Sequence, residues 1–348
     1  MNKSIIRNAV NLAISSHTAF YAYRLPDDCE IHFAAQRTPG YQSPTGLKIV
    51  PFDISGKLPT VRIYDELSAA ELLKMNPTSP VNPSEELGYD NVTTSKQTYL
   101  EAAESCLKLL KTHTLEKIVL SKVITGDASH FDWGTLYETL TEMYPSAFTF
   151  IVQTPQTGIW MGASPERLGI YDGSTFQTMA LAGTRKAGTV TPWGSKEIEE
   201  QEIVVRYIAK AFENAGVPFT LSEKTTHKAG SIEHLCNHFT AHISSLSEVE
   251  RLVGWLHPTP ALSGLPKEDA IRAINQIERH ERAYYGGYLG PFSEKSFNYF
   301  VNLRSLSSSN RKFTIYCGGG LTAESLPESE WEETEAKSQT MLSLLNHP

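Results

Sequence analysis

Between Glu116 and Gly183 five short runs follow one another, each rich in β-branched and aromatic residues. They are "EKIVLSKVI", "FTFIVQT", "GIWMGAS", "RLGIYDG" and "TFQTMALAG", and glycine punctuates them. Three more, "GGYLGPF", "SFNYFVNLRSL" and "RKFTIYCGGG", stand at hairpin spacing near the C-terminus. Four others, "AFYAYRL", "EIHFAAQ", "LKIVPF" and "TVRIYDE", fill the first part of the chain behind the amphipathic helix pattern of "MNKSIIRNAVNLAISSHTAF". Adjacent strands with helices interspersed predict a large α+β domain with antiparallel sheets. Helices are predicted over "SKQTYLEAAESCLKLLKTH", from about Ser195 to Asn214, over "KEDAIRAINQIERHERAYY" and from near Glu330 to the C-terminus. Thr94 and Gln97 have the spacing of a capping box for the first of these.

With 348 residues and 38.6 kDa, the chain is long enough for one large domain or two ordinary ones. "KMNPTSPVNPSEELGYDNVTTSK" is rich in Pro, Ser, Asn and Thr and reads as a linker or long surface loop. Residues 1–94 and 95–348 are therefore distinguished. The net charge of −8 argues against a nucleic-acid or anionic-membrane partner. Four scattered cysteines form no CxxC pair, which disfavours zinc and thioredoxin-like readings and suits a reducing compartment. No signal peptide and no apolar run of about 18 residues is evident, so a cytoplasmic protein is expected.

The chemistry lies in where charges interrupt apolar patterns. In "ESEWEETEAK", Ser329 and Glu332 have capping-box spacing, which gives Glu332 a local role. Glu330, Glu333 and Lys337 instead share one helix face, which continues into Met341 and Leu344. In "SKEIEEQEIVVRYIAKAF", Glu197 and Glu200 stand one turn before the stripe of Val204, Ile208 and Ala211. Two such helices meeting at one core would make an all-oxygen site suited to Mg²⁺; alternatively, the stripe ends emerge into water.

Lys117 opens a strand apolar on both faces and so expected to be central. It is either a strand-end gatekeeper or a desolvated base. Glu166, at a strand-to-turn junction, is a general acid or a turn residue. Arg304 interrupts an apolar strand and needs an anionic partner if buried. His234, His238 and His242 are spaced for one face, a weak zinc pattern. The glycine-rich "LAGTRKAG" and "CGGGLT" read as turns after strands, either tight turns or anion cradles. Neither matches a nucleotide-binding fingerprint.

Taken in order, "KIVLSK", "GASPERL", "LAGTR", "KEIEEQE", "EHL", "HPTPALSG", "ERAYYGGYLG", "VNLRS", "CGGGLT" and "EWEETEAK" resemble the chorismate-utilising enzymes over about Ser95 to Leu345. That family includes isochorismate synthase, salicylate synthase, anthranilate synthase large subunit and aminodeoxychorismate synthase. The resemblance implies two packed, mainly antiparallel sheets with helices outside. It implies Glu200 and Glu333 as Mg²⁺ ligands, with Glu330 and Glu197 nearby, directly or through water. Lys337 would pair with the ring carboxylate, and Arg304, Tyr285 and backbone groups of Gly318 and Gly319 with the enolpyruvyl carboxylate. Ala182, Gly183 and His234 would line the ring. Lys117 would be the base for water at C2 and Glu166 the acid for the C4 hydroxyl. "HPTPALSG", with Ala261, resembles the isochorismate synthases, which feed menaquinone or siderophore synthesis. A monomer is expected, without a glutaminase subunit. Glu200-Gln201 departs from the commoner "EH" pattern.

Overall fold

The computed structural model describes residues 3–53, 57–75, 91–229 and 232–346. Of the loop expected between Lys74 and Lys96, residues 76–90 lie outside the described residues.

Strands are numbered in chain order. The first sheet runs in space β13 (Gly264–Leu265), β5 (Lys117–Asp127), β17 (Lys312–Leu321), β16 (Ser305–Ser309), β7 (Gly158–Ser164), β6 (Phe148–Thr154), β1 (Ala19–Arg24), β2 (Ile31–Gln36). The second runs β10 (Thr220–Leu221), β12 (Ile232–His242), β9 (Thr175–Lys186), β8 (Arg167–Tyr171), β15 (Phe297–Val301), β14 (Tyr288–Phe292), β3 (Gly46–Val50), β4 (Val61–Tyr64). β11 (Thr225–Ala229) pairs beside β12. The pairings of both sheets are antiparallel among the described residues, so the chain is an α+β protein with two antiparallel sheets.

The sheets share one apolar core. Phe148 of the first stacks on Phe300 of the second, with ring centroids 4.2 Å apart and planes 2° from parallel. The second face of the first sheet is covered by α1 (Lys3–Ser15), α4 (Trp133–Met143) and α8 (Pro327–Leu345), whose Ile6, Val10, Tyr137, Leu140, Met341 and Leu344 pack with Phe20, Ile151, Leu306 and Ile315. Around β5, Tyr99 and Leu110 of α3 (Lys96–Lys111) and Ile274 of α7 (Lys267–Ile277) bury Ile118 and Leu120. On the second sheet, Phe212 of α5 (Ser195–Ala215) stacks on Phe239 of β12 at 5.8 Å, and Val249 and Leu252 of α6 (Leu246–Leu256) join that cluster.

Twice, the chain leaves the first sheet for the second, or returns, beside the same spot. β7 ends at Ser164 and β8 begins at Arg167; β15 ends at Val301 and β16 begins at Ser305. The crossings are bonded to each other: Val301 N donates to Glu166 O at 3.0 Å, Ser164 Oγ to Val301 O at 2.6 Å, and Ala163 N to Arg304 O at 3.2 Å. The run "SFNYFVNLRSL" is thus two strands in two sheets, and Arg304 takes a left-handed φ of 50° where it turns from one to the other.

Several local expectations are corrected. Ser95, not Thr94, caps α3, accepting from Thr98 N at 3.1 Å; the Thr94 hydroxyl accepts instead from Val123 N at 3.1 Å. α8 starts at Pro327, so Ser329 lies inside it and caps nothing. α7 stops at Ile277 rather than running on to Tyr285. β5 is next to the sheet edge, not central; α3 and α7 account for its apolar character on the second face. "CGGG" and "LAG" are strand interior, within β17 and β9.

The Phe148–Phe300 stack joins the two sheets, so truncating it opens a cavity at their interface. Phe148→Ala is expected to cost about 3–5 kcal/mol. Denaturant unfolding with an unchanged m-value would check this, and a loss under 1 kcal/mol would show the stack to be dispensable.

Candidate active site

Glu166 and Arg304 sit on the two adjacent crossings, where neither backbone is tied into an extended ladder. Lys117 is the first residue of β5, and its backbone is held by the two-residue strand β13 through the Leu265–Lys117 pair. Gly264 makes that approach possible. Its φ is +129°, and a Cβ there would lie 2.3 Å from Lys117 O. The Lys117 amine is pulled well below the usual lysine range, first by burial and then by the neighbouring ammonium of Lys337. The carboxylates of Glu200, Glu166 and Glu333 act on it in the opposite direction. Glu166 is pushed up to about 7 by burial, against the pull of Lys117, Thr259 and Arg304. Both side chains keep some surface toward the site, yet protein atoms crowd their charged ends. A lysine driven toward neutrality and a carboxyl driven toward protonation thus stand within electrostatic reach of each other.

The glycine run of β17 explains how bulky groups fit there. A Cβ at Gly318 would meet the Tyr285 hydroxyl at 2.9 Å, and one at Gly320 would meet Lys117 Cε at 2.9 Å. At Gly319 the contact would be Glu330 Oε2 at 3.3 Å. The run makes no turn. It strips the strand of side chains where Tyr285, Glu330 and Lys117 press against it. Lys337 Nζ donates to Gly318 O at 3.1 Å and pairs with Glu333 Oε1 at 2.6 Å. Tyr285 is buried and stacks on Tyr316 at 5.3 Å.

On the opposite wall, β9 bulges against β12 between His234 and Leu235, and Gly183 takes a φ of +66°. His234 Nδ1 lies 3.3 Å from Gly183 O. Burial lowers its pKa, and Arg304 is one of the cations lowering it further. Ala182 pairs opposite Leu235, beside the bulge. Backbone of Glu197 at the start of α5 packs on Gly183, where a Cβ would lie 2.8 Å from its carbonyl. Arg304 is itself held below the usual arginine range by burial, with Glu166 acting against that.

The helix stripes end as carboxylates. On α8 the buried line of Leu344, Met341, Ser338 and Thr334 leads to the half-buried Glu330, with Glu333 and Lys337 on its rim. Glu330 Oε1 accepts from Ser325 Oγ at 2.7 Å. Glu335 pairs with the buried Lys122, whose amine lies 3.7 Å from the centroid of Trp331. On α5 the buried line includes Gln201, whose amide donates to Ala180 O at 2.9 Å and Asn237 Oδ1 at 3.0 Å. That clamp fixes α5 to β9 and β12 and leaves Glu200, one residue earlier, half-buried on the site side. The Glu197 carboxylate turns back to Gly194, where a Cβ would lie 2.5 Å from its Oε2. Glu200 and Glu333, on two helices, both lie within electrostatic reach of the Lys117 amine, and an oxygen-only donor set would suit Mg²⁺. Among the described residues no three His, Cys, Asp or Glu side chains are already gathered as a metal cluster. His238 and His242 point to the exposed face of β12 and form no zinc site with His234.

Two neighbours of the site were not anticipated from the sequence. Thr259 Oγ1 approaches Glu166 Oε1 at 3.5 Å, in the loop that also carries Ala261. Gly320 is the backrest of Lys117. The third glycine of "CGGG" was the available signal for the latter; no periodicity marks Thr259.

The model of the family described as chorismate binding enzyme matches residues 54–346. Isochorismate synthase EntC of Escherichia coli strain K12 is 29% identical over 332 residues, covering 90% of this chain and 84% of its own. Among solved structures, MenF, the menaquinone-specific isochorismate synthase from Escherichia coli, superposes with a TM-score of 0.76 at 21% identity, covering 97% of this chain and 91% of that one. Anthranilate synthase component I from Streptococcus pneumoniae TIGR4 gives 0.63 at 15% identity over 98% and 85%. The fold is therefore common to relatives of different chemistry, and what sets this chain among them is its own side chains. It belongs to the chorismate-binding enzyme family.

Proposed function

We propose that the protein is an isochorismate synthase, exchanging a hydroxyl at C4 of chorismate for one at C2. The observation that carries this reading is the pair of opposed shifts: Lys117 lowered and Glu166 raised, in one site. Neutral Lys117 takes a proton from water as the water oxygen bonds to C2. Protonated Glu166 gives its proton to the C4 hydroxyl, which departs as water. One water enters and one leaves, so the reaction is an isomerisation. Proton transfers at two separated carbons need two groups with pKa values driven toward neutrality from opposite sides. Arg304 and Tyr285, with backbone groups of Gly318 and Gly319, receive the enolpyruvyl carboxylate. Lys337 pairs with the ring carboxylate, and Ala182, Gly183, His234 and Ala261 bound the ring. Glu200 and Glu333 would hold Mg²⁺, with Glu330 and Glu197 supporting it. When bound, the ion would neutralise and fix the substrate carboxylate. Residues 1–94 are proposed to belong to the same folding unit, and the protein to act in the cytoplasm as a monomer without a glutaminase subunit. The four free cysteines suit that compartment. Its product would enter menaquinone or siderophore synthesis.

Purified protein given chorismate is expected to yield isochorismate without stoichiometric pyruvate, and to lose this activity to a chelator until Mg²⁺ is restored. Salicylate with pyruvate would move it to the lyases; no conversion would leave an anion-binding paralogue. Lys117→Ala and Glu166→Gln are each expected to lower kcat by at least ~10²-fold. In the native enzyme kcat/KM should fall as pH rises through about 7, where Glu166 loses the proton it must donate. An alkaline limb that survives in Glu166→Gln would assign it elsewhere. Gly320→Ala should fold normally, because its methyl meets only the flexible end of Lys117. It should lower kcat about tenfold by shifting the amine, and unaltered kcat would show that the backrest does not matter.

A further inference from the structure

β13 covers only the start of β5. It takes Glu116 N and Val119 N, through Leu265 O at 2.8 Å and Ser263 O at 3.0 Å, and then turns away. The next backbone groups on that edge are met by an ion pair. Arg282 donates to Val119 O at 2.6 Å, and Glu278 Oε1 accepts from Ser121 N at 2.6 Å and Ser121 Oγ at 2.8 Å. The same guanidinium donates to Leu262 O at 2.6 Å and, through Nε and Nη2, to both oxygens of Glu278. His280 Nε2 completes the cluster 2.8 Å from Ser121 Oγ. Both side chains of the pair are 3% exposed. Burial opposes both charges, yet Arg282, His280 and Ser121 together hold Glu278 below its usual range, and Glu278 with its neighbours holds Arg282 above its own, so both stay ionised.

The pair therefore does the work of a missing strand: one donor and one acceptor replace a neighbour's C=O and N–H partners. It also joins two parts of the site. Val119 is two residues from Lys117 on the same edge of β5. Leu262 belongs to the loop whose Thr259 touches Glu166. We propose that Arg282, held by Glu278, is a positioning residue that sets the Lys117 amine against the Thr259–Glu166 side of the site. It acts through its partners, since its guanidinium is bonded to Val119 O, Leu262 O and Glu278. The inference rests on the role proposed above for Lys117.

Two variants and a control test it. Glu278→Gln/Arg282→Met removes both charges at similar volume, a change buried ion pairs often tolerate without loss of stability. Arg282→Lys keeps the buried charge but cannot span Val119 O, Leu262 O and both carboxylate oxygens together. The paired variant is expected to keep its circular dichroism and a cooperative melting transition, lowered because Val119 O and Leu262 O lose their donor, with kcat down about 10- to 100-fold and KM for chorismate within about threefold. Arg282→Lys should recover part of kcat and nothing in KM. A folded paired variant with kcat near that of the native enzyme, or a change confined to KM, overturns the proposal. Should the paired variant fail to fold, Arg282→Lys decides: unchanged kcat overturns the proposal, and lowered kcat at constant KM and melting temperature supports it. Lys117→Ala separates the two levels. Retained turnover there removes the base itself; lost turnover there with native kcat in the Arg282 variants removes only the positioning role.

Discussion

Everything at the site depends on two strands that change sheets side by side. Where β7 gives way to β8 and β15 to β16, the chain must leave one ladder before joining the other, and its polar backbone has to find partners in between. The two crossings supply them to each other, through Ser164, Val301 and the Glu166 and Ala163 backbones. Because the backbones are mutually satisfied, the side chains at these positions are free for other use. Glu166 and Arg304 are those side chains. The mutual bonding sets their spacing, and the strain of a left-handed arginine is held by ladders on both sides.

The electrostatics follow from that placement. A crossing between packed sheets lies in the apolar core, where a lone charge is expensive and a neutral form is favoured. Burial raises Glu166 and lowers Lys117 for the same reason, since it disfavours whichever form is charged. At the mouth, the carboxylates of Glu200 and Glu333 oppose the lowering of Lys117 without cancelling it, while the ammonium of Lys337 adds to it. Depth in the core, rather than an unusual partner, shifts these two ordinary side chains toward their neutral forms.

The sequence made much of this legible. Helix stripes that end in carboxylates pointed to α5 and α8, and the interrupted strand pointed to Arg304. What failed was local and has physical causes. Thr94 looked like a cap, but its hydroxyl is spent on the β5 edge, so Ser95 caps α3. The glycine runs looked like turns because close approach and tight turning call for the same residue; only the partners, Tyr285, Glu330 and Lys117, tell them apart. β5 looked central because helices can bury a strand face as well as a sheet can. Arg282 and Glu278 fall within the run "KEDAIRAINQIERHERAYY", expected to be one helix. The helix stops at Ile277, and the pair closes across the irregular stretch that follows.

The edge of β5 has one more meaning. An unprotected edge strand offers its row of N–H and C=O groups to any other chain, and this one is eleven residues long with five aliphatic side chains. Its successive groups are taken by β13, by Arg282 and Glu278, and then by Thr94 and Thr93, whose hydroxyls accept from Val123 N and Thr125 N at 3.1 and 2.9 Å. Little of the template remains for a second molecule to read. The arrangement that orders the start of β5 around Lys117 thus also closes an edge that could otherwise seed aggregation, and a variant that loosens it risks insolubility.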